Sequence, residues 1–332
     1  MRRSYRKEMI RMNASYDLLI VGGGAAGLTA AQYGARANLR TLVVEQTANG
    51  GQCLLIEGLE NYPGFPDPIG GLEFTTRFEE QAKRFGAEFL VSGVQSIEKD
   101  GRVFRVQTGE GELTAQAVVL ATGARHRTLG VPGEERLAGR GVSYCATCDG
   151  PFFRGKKMVV VGGGDAAFDE AQFLSNLSDN IVLVHRRERF RAQKSLIERV
   201  ENNPSIELRT NTVVQEIHGE STMMGIEKVS GVTFRRTDTG EEYFETAAAV
   251  FVFIGSIPQT ALALETEKDE AGYIITNERM ETSVPGLYAV GDVRNTPFRQ
   301  LVVAASDGAI AAHAASQYID ELADMKTEAV PA

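Results

Sequence analysis

The strongest constraint on this chain is that it contains one stretch twice. Asp17–Thr47 aligns without a gap on Lys157–Arg187, at a shift of 140 residues. Each copy reads as an apolar strand (Leu18–Val21; Met158–Val161), a glycine turn, a helix, and a second apolar strand (Thr41–Val44; Ile181–Val184). The turns are Gly22-x-Gly24-x-x-Gly27 and Gly162-x-Gly164-x-x-Ala167. In such a turn the first glycine bends the chain tightly and the second lets the backbone approach a pyrophosphate. The third position lets the helix pack close to the strand, and the helix N-terminus offers free N–H groups and a positive dipole. One turn of this kind is weak evidence. Two with matched flanks point to a dinucleotide at each.

The duplication continues beyond the helices. The first copy is followed by a hairpin turn at Lys99-Asp100-Gly101-Arg102 and a strand Ala117–Leu120 that ends in Ala121-Thr122-Gly123. The second is followed by Gly231–Arg236, a turn at Asp238-Thr239-Gly240, and an expected return strand Ala249–Phe253 running into Ile254-Gly255. The fold class expected is therefore α/β: two Rossmann-like domains, each with an inserted three-stranded β-meander. A third strand, Leu287–Val290 before Gly291-Asp292, has no unit of its own and is expected to return to the first domain. That makes the second domain an insertion. The expected division is a loose basic arm at 1–13, a first domain at 14–125 and 256–326, a second at 126–255, and a tail at 327–332, with hinges near Ala124–Arg127 and Gly255–Pro258.

Composition narrows the function class. A formal net charge of −9 argues against a nucleic-acid surface, which needs a basic field. No apolar run reaches the roughly 18–20 residues of a membrane helix. The basic start (Arg2, Arg3, Arg6, Lys7, Arg11) before apolar Leu18–Ala31 resembles a signal peptide, but four glycines interrupt the run and favour strand–turn–helix. Three cysteines are too few for a disulfide scaffold, so a reducing cytoplasm is expected.

The end of the second strand of each copy faces the adenosine ribose. In the first copy Glu45 stands there, suited to accept from the ribose hydroxyls of FAD or NAD. In the second it is His185, followed by Arg186, Arg187 and, further on, Arg191. A carboxylate would repel a 2′-phosphate, whereas guanidiniums bind it through charge-assisted bonds. At roughly 1.5–3 kcal/mol each, two such bonds favour NADPH over NADH by about 10²–10⁴. The alternative, a solvated basic helix start in Arg-Arg-Glu-Arg, fits this offset less well. The first site thus reads as FAD-like and the second as an NADPH site.

Cys145-Ala146-Thr147-Cys148 lies just before the second fingerprint. Two cysteines at this spacing close a small disulfide, and a helix start lowers the pKa of one thiol. Zinc would need a second pair or histidines at ligand spacing; Cys53 stands alone and His126, His185, His218 and His313 are scattered. Asp149 is either an ordinary cap or the proton shuttle that dithiol–disulfide exchange requires.

At this point the chain closely resembles bacterial thioredoxin reductases, from about Tyr16 to Ala323. The residues that carry the resemblance are Gly50-Gly51-Gln52, Glu60-Asn61-Tyr62-Pro63-Gly64, Ala121-Thr122-Gly123-Ala124, Cys145–Gly150, His185-Arg186-Arg187 with Phe190-Arg191-Ala192, Gly291-Asp292-Val293 and Arg299-Gln300. The resemblance implies that Cys148 contacts a flavin, Cys145 attacks a partner disulfide and Asp149 is the acid/base. It implies that FAD is lined by Gly22, Gly24, Ala25, Ala26, Gly27, Glu45, Gln46, Gly51, Gln52, Asn61, Val94, Ala121, Thr122, Gly123, Gly291, Asp292, Arg299, Gln300 and Leu301, with Asp292 on the ribityl chain. For NADPH it implies Gly162, Gly164, Asp165, Ala166, His185, Arg186, Arg187, Arg191, Ile254 and Gly255. It further implies a homodimer whose NADPH domain swings between two orientations, with thioredoxin or a similar small dithiol protein as partner.

The chain departs from that pattern at Cys53-Leu54-Leu55-Ile56, Ala166, Ser256, Gln259, Val303 and Ser306. Cys53 has no second cysteine five positions on and reads as packing. Two other enzyme readings stay open: a reductase of a different dithiol carrier, and a dithiol oxidase, against which the arginine set counts. A non-enzymatic redox sensor would need neither Asp149 nor a cycling pair.

Overall fold

The computed structural model describes residues 14–328 apart from Glu57, Glu60, 222–224 and Leu264. The expected N-terminal arm at 1–13 lies outside the described residues. Two compact units emerge: one combines the described residues up to Arg125 with those from Ile257 on, the other is His126–Ser256.

The first unit runs β1 (Ser15–Val21), α1 (Ala25–Arg36), β2 (Thr41–Glu45), α2 (Gly71–Arg84), β3 (Glu88–Val91), β4 (Val94–Asp100), β5 (Val103–Thr108) and β6 (Gly111–Leu120). The chain leaves it through β7 (Ala124–His126). The second unit holds β8 (Val142–Ser143), α3 (Ala146–Asp149), β9 (Met158–Gly162), α4 (Asp165–Ser175), β10 (Ile181–Val184), α5 (Lys194–Glu201), β11 (Ile206–Arg209), β12 (Thr212–Ser221), β13 (Glu227–Arg236), β14 (Glu242–Thr246) and β15 (Ala249–Phe253). The chain returns through β16 (Ser256–Pro258), which pairs with β7, and closes the first unit with β17 (Leu287–Ala289) and α6 (Leu301–Glu328). The helix therefore runs two residues into the expected tail.

In the first sheet the order is β3-β2-β1-β6-β5-β4. One edge of β6 is shared: its first half pairs antiparallel with β5, and Val118–Leu120 pair parallel with β17. The central runs of the parallel strands, Leu18–Val21, Leu42–Val44 and Ala117–Leu120, are apolar at every position because both faces are covered. Leu18, Ile20, Val43, Ala117 and Val119 face α1 and α6, while Leu19, Val21, Leu42, Val44, Val118 and Leu120 face a second core with Phe104, Val106 and Ile274.

The second parallel sheet has the order β11-β10-β9-β15-β8. Met158, Val160, Ile181, Leu183, Ala249 and Phe251 pack on the helical side with Phe168, Ala171 and Leu174. The alternate residues Val159, Val161, Val182, Val184, Val250 and Val252 pack on Ile217, Val232 and Phe234 of the antiparallel β12-β13-β14 sheet. This corrects one expectation. The strand returning from Asp238-Thr239-Gly240 is β14, paired to β13, and Ala249–Phe253 belongs to the parallel sheet beside β9. Apolar β15 reads as the return from sequence because β14 (Glu-Tyr-Phe-Glu-Thr) is half polar and gives a weak strand pattern.

Candidate active site

In the first unit the glycine turn fits the three roles assigned to it. Gly22 has φ +108°, and a Cβ there would lie 2.4 Å from the Ala121 carbonyl oxygen. At Gly27 a Cβ would lie 1.9 Å from the Gly22 carbonyl oxygen, so α1 rests on the turn itself. At Gly24 nothing stands within 4 Å, and no side chain caps α1. The open space and the uncapped first-turn N–H groups are what a pyrophosphate needs. The turn is walled by Gly51, whose Cβ would sit 3.4 Å from the Gly24 Cα, and by Asn49, whose buried Oδ1 finds no partner among the described residues. The Glu45 carboxylate is held beside the turn by the N–H groups of Gly23 (2.7 Å) and Thr47 (3.2 Å). The residues present therefore fit a dinucleotide.

Gly24→Ala separates fold from binding. Its φ of −74° suits alanine, so melting should change by no more than about 0.5 kcal/mol, while the added methyl fills the cradle and nucleotide retention is lost. Gly27→Ala should instead lower stability by roughly 1–3 kcal/mol through overpacking. Calorimetry and bound-nucleotide absorbance of both variants check the contrast.

The other residues assigned to this site gather in the same unit to different degrees. Gln52 donates from Nε2 to the Ala124 carbonyl, and the Thr122 hydroxyl donates to the Gln259 carbonyl at 2.7 Å. Asn61 Nδ2 donates to Gln300 Oε1 at 3.2 Å. The Arg299 guanidinium lies over the Tyr273 ring, 4.3 Å from its centroid. Gly291 packs on Ala26, and Asp292, next to it, makes no hydrogen bond with the described residues. Gln46 is exposed beyond β2, and Val94 packs into the core under the sheet.

Cys53 is 2% exposed. Burial pushes its thiol up to about 11. Thiolate is the reactive form, so below pH 9 this cysteine should resist alkylation in the folded protein. Thiol titration of the reduced native chain should count two fast groups, and a third only after denaturation.

In the second unit the fingerprint repeats the geometry. A Cβ at Gly162 would lie 2.4 Å from the Ala167 Cβ, Gly164 faces open space, and no side chain caps α4. Asp165 accepts from the Gln193 N–H (2.8 Å) and Nε2 (2.9 Å), hydrogen bonds that hold its carboxyl below the usual range. Ala166 is exposed in this first turn. The Arg191 N–H donates to the Gly163 carbonyl at 2.7 Å. These bonds fold the arginine segment back onto the turn. It consists of bends before α5, not a helix start. Arg186, Arg187 and Arg191 are exposed and make no ion pair among the described residues.

His185 is different. Its ring is 8% exposed, Nε2 faces the Arg189 carbonyl at 3.2 Å, and burial lowers its pKa. A Cβ at Gly163 would meet its Nδ1 at 2.2 Å. It forms a wall of the turn. Ile254 packs against the β12-β13-β14 side, and Gly255 turns at φ +104° with its carbonyl accepting from Arg127 N–H at 2.9 Å.

The same unit carries the cysteines. Cys145 and Cys148 are joined, with Cα atoms 5.3 Å apart. Cys145 is the N-cap of the single-turn α3: its sulfur accepts from the Cys148 N–H at 3.2 Å and lies 3.4 Å from the Thr147 hydroxyl. Asp149 closes this turn, its N–H donating to the Cys145 carbonyl at 3.2 Å. Sequence patterns gave no sign of the support behind it. Tyr144 donates to Glu134 Oε1 at 3.0 Å, and Glu134, 3% exposed, also accepts from the Leu129 and Gly130 N–H groups at 2.9 and 2.8 Å. No cluster of potential metal ligands exists among the described residues.

Comparison with known proteins bears on this combination of two fingerprints and a disulfide. The sequence profile described as pyridine nucleotide-disulphide oxidoreductase matches residues 16–309. The chain belongs to that family. Among curated members of the pyridine nucleotide-disulphide oxidoreductases, it is 53% identical over 311 residues to the thioredoxin reductase of Treponema pallidum (strain Nichols), covering 94% of this chain and 99% of the relative. It is 45% identical over 312 residues to that of Bacillus subtilis (strain 168), covering 92% and 96%. The crystal structure of thioredoxin reductase from Streptococcus pyogenes MGAS5005 superposes with a TM-score of 0.88 at 43% identity, covering 93% of this chain and 99% of that one. The α/β fold of the family and its oxidoreductase character are those of this chain. No described helix is long and apolar enough to cross a membrane.

Proposed function

We propose that this chain is a thioredoxin reductase, passing two electrons from NADPH through FAD and the Cys145–Cys148 disulfide to the disulfide of thioredoxin or a similar small dithiol protein. The observation that carries the reading is one unit holding both a redox-sized disulfide and a fingerprint flanked by unpaired arginines, in a chain with a second, carboxylate-ended fingerprint. Bound, FAD supplies the two-electron relay between the nicotinamide and the disulfide. Gly22–Gly27, Glu45, Gln52 and Asp292 would hold that group; Gly162–Ala167 with Arg186, Arg187 and Arg191 would hold NADPH.

The remaining chemistry is the chain's own. In the dithiol form, the Cys145 thiolate attacks one sulfur of the partner disulfide, that S–S bond breaks, and a mixed disulfide forms while the displaced partner thiolate takes a proton. Cys148 then attacks the Cys145 sulfur, releasing the second partner thiol and restoring the Cys145–Cys148 bond. Asp149 holds and returns the protons.

Anaerobic titration tests the reading. Flavin plus disulfide store four electrons, so wild type should take up two equivalents of NADPH and then reduce thioredoxin catalytically. Uptake of one equivalent, or NADPH consumption that no thioredoxin accelerates, would overturn it. The chain is further read as cytoplasmic and as a homodimer through its first unit. Support comes from apolar side chains exposed on α1, α2 and α6: Tyr33 at 42%, Leu72 at 66%, Val302 at 41% and Ile310 at 37%. Sedimentation should return about twice the 36.0 kDa chain mass.

A further inference from the structure

Asp307 is a carboxylate to which no motif gives a role. It lies near the start of α6 and is 4% exposed. Its Oδ2 accepts from the Gly291 N–H at 3.1 Å and from Arg294 Nη1 at 3.1 Å. Those two donors bracket the short 3-10 turn Gly291–Val293, whose middle residue is Asp292. Arg294, its side chain 12% exposed, also donates from Nε to the Thr276 hydroxyl at 2.6 Å. One carboxylate oxygen therefore pins both ends of the turn.

The neighbouring residue ties the turn to the nucleotide cradle. A Cβ at Gly308 would lie 2.2 Å from the Ala26 carbonyl oxygen, and a Cβ at Gly291 would lie 3.2 Å from the Ala26 Cβ. Residues 307 and 308 thus lock the Asp292 turn against the first turn of α1, beside open Gly24. An apolar residue at 307 would avoid the desolvation cost of a buried ion pair, but it would leave the Gly291 N–H and the Arg294 guanidinium buried without a partner. The pair is costly to keep and serves geometry.

We propose that Asp307, with Arg294, is a positioning residue for FAD, fixing the turn that presents Asp292 to the cofactor. The inference rests on the reading that the first fingerprint takes FAD. Asp307 acts through the Gly291 backbone and Arg294. Its charge also reaches Asp292: burial is the main cause that raises the Asp292 carboxyl above its ordinary range, the Arg299 charge opposes it, and Asp307 adds to it.

The test uses holoprotein with Asp307→Ala, which loses acceptor and charge, and with Asp307→Asn, which keeps shape and can still accept from Gly291. Arg294→Gln is the third variant. FAD release on dilution is followed by flavin fluorescence, unfolding by circular dichroism, and the flavin midpoint potential by dye equilibration. Asp307→Ala should weaken FAD retention by about tenfold or more, with a smaller loss in Asp307→Asn. Asp307→Asn should also shift the flavin potential to a more positive value, since a negative charge is gone. Variants that melt earlier but keep wild-type FAD retention and potential would overturn the proposal. Should Asp307→Ala fail to fold, unchanged retention and potential in both Asp307→Asn and Arg294→Gln would do so equally. A wild type that takes up no FAD would instead sink the FAD reading itself.

Discussion

Cys148→Ser is expected to bring thioredoxin reduction to background, a fall of at least roughly 10³-fold, while one equivalent of NADPH still bleaches the bound flavin. The cause is the loss of the disulfide as an electron store, not the loss of either fingerprint. Cys145→Ser should silence turnover as completely, and the two variants should differ in one respect. Cys148→Ser keeps the thiol that caps α3 and attacks the partner, but lacks the one that resolves the adduct. It should therefore accumulate a covalent enzyme–thioredoxin species, visible by intact mass and released by dithiothreitol, which Cys145→Ser does not form. Adduct from Cys145→Ser and none from Cys148→Ser would reverse the assigned roles. Turnover surviving loss of both sulfurs would remove them from the mechanism.

Joint replacement of Arg186 and Arg187 by alanine is expected to cut kcat/KM for NADPH, relative to NADH, by about 10²–10⁴. Both side chains are exposed, neither is engaged in an ion pair with the described residues, and the segment that carries them is fastened to the glycine turn through Arg191 N–H and Gln193. The charges are thus positioned but unspent. Because they are exposed, the NADPH preference of wild type should also shrink as salt rises. Measuring the ratio of the two nucleotides at low and high ionic strength checks both points. A ratio near unity in wild type, or one that the double variant leaves unchanged, would dismiss the arginine assignment.

Much of this site was legible from the order of residue types alone. The paired fingerprints could be read because each glycine role is enforced by contacts within a few residues or with the next strand. Cys145 and Cys148 could be read because their spacing itself closes the ring. What escaped were groups whose partners are distant in sequence. His185 sits at the ribose position yet is buried against Gly163, a fact its neighbours Arg186 and Arg187 conceal. Glu134 and Asp307 look like ordinary surface acids in the sequence, and only the fold turns their carboxylates inward to backbone N–H groups. The misread β15 shows a related limit: an apolar strand reveals that it is buried, not which sheet buries it.

The shared edge of β6 has a consequence for biosynthesis. Residues 287–289 and the long helix after them complete the sheet that residues 15–21 begin, and Ala311, Ala312, Ala314, Ala315 and Ile319 fill one of its two cores. During translation the inserted unit, with every strand of its own between Val142 and Phe253, has emerged whole while the first is still missing a strand and its cover. The usual order, N-terminal part first, is therefore inverted. The ribosome thus releases a chain in which β1 already has both its sheet neighbours, β2 and β6, while one apolar face of β1 and α1 waits for residues 287–328 in the care of whatever shields nascent chains.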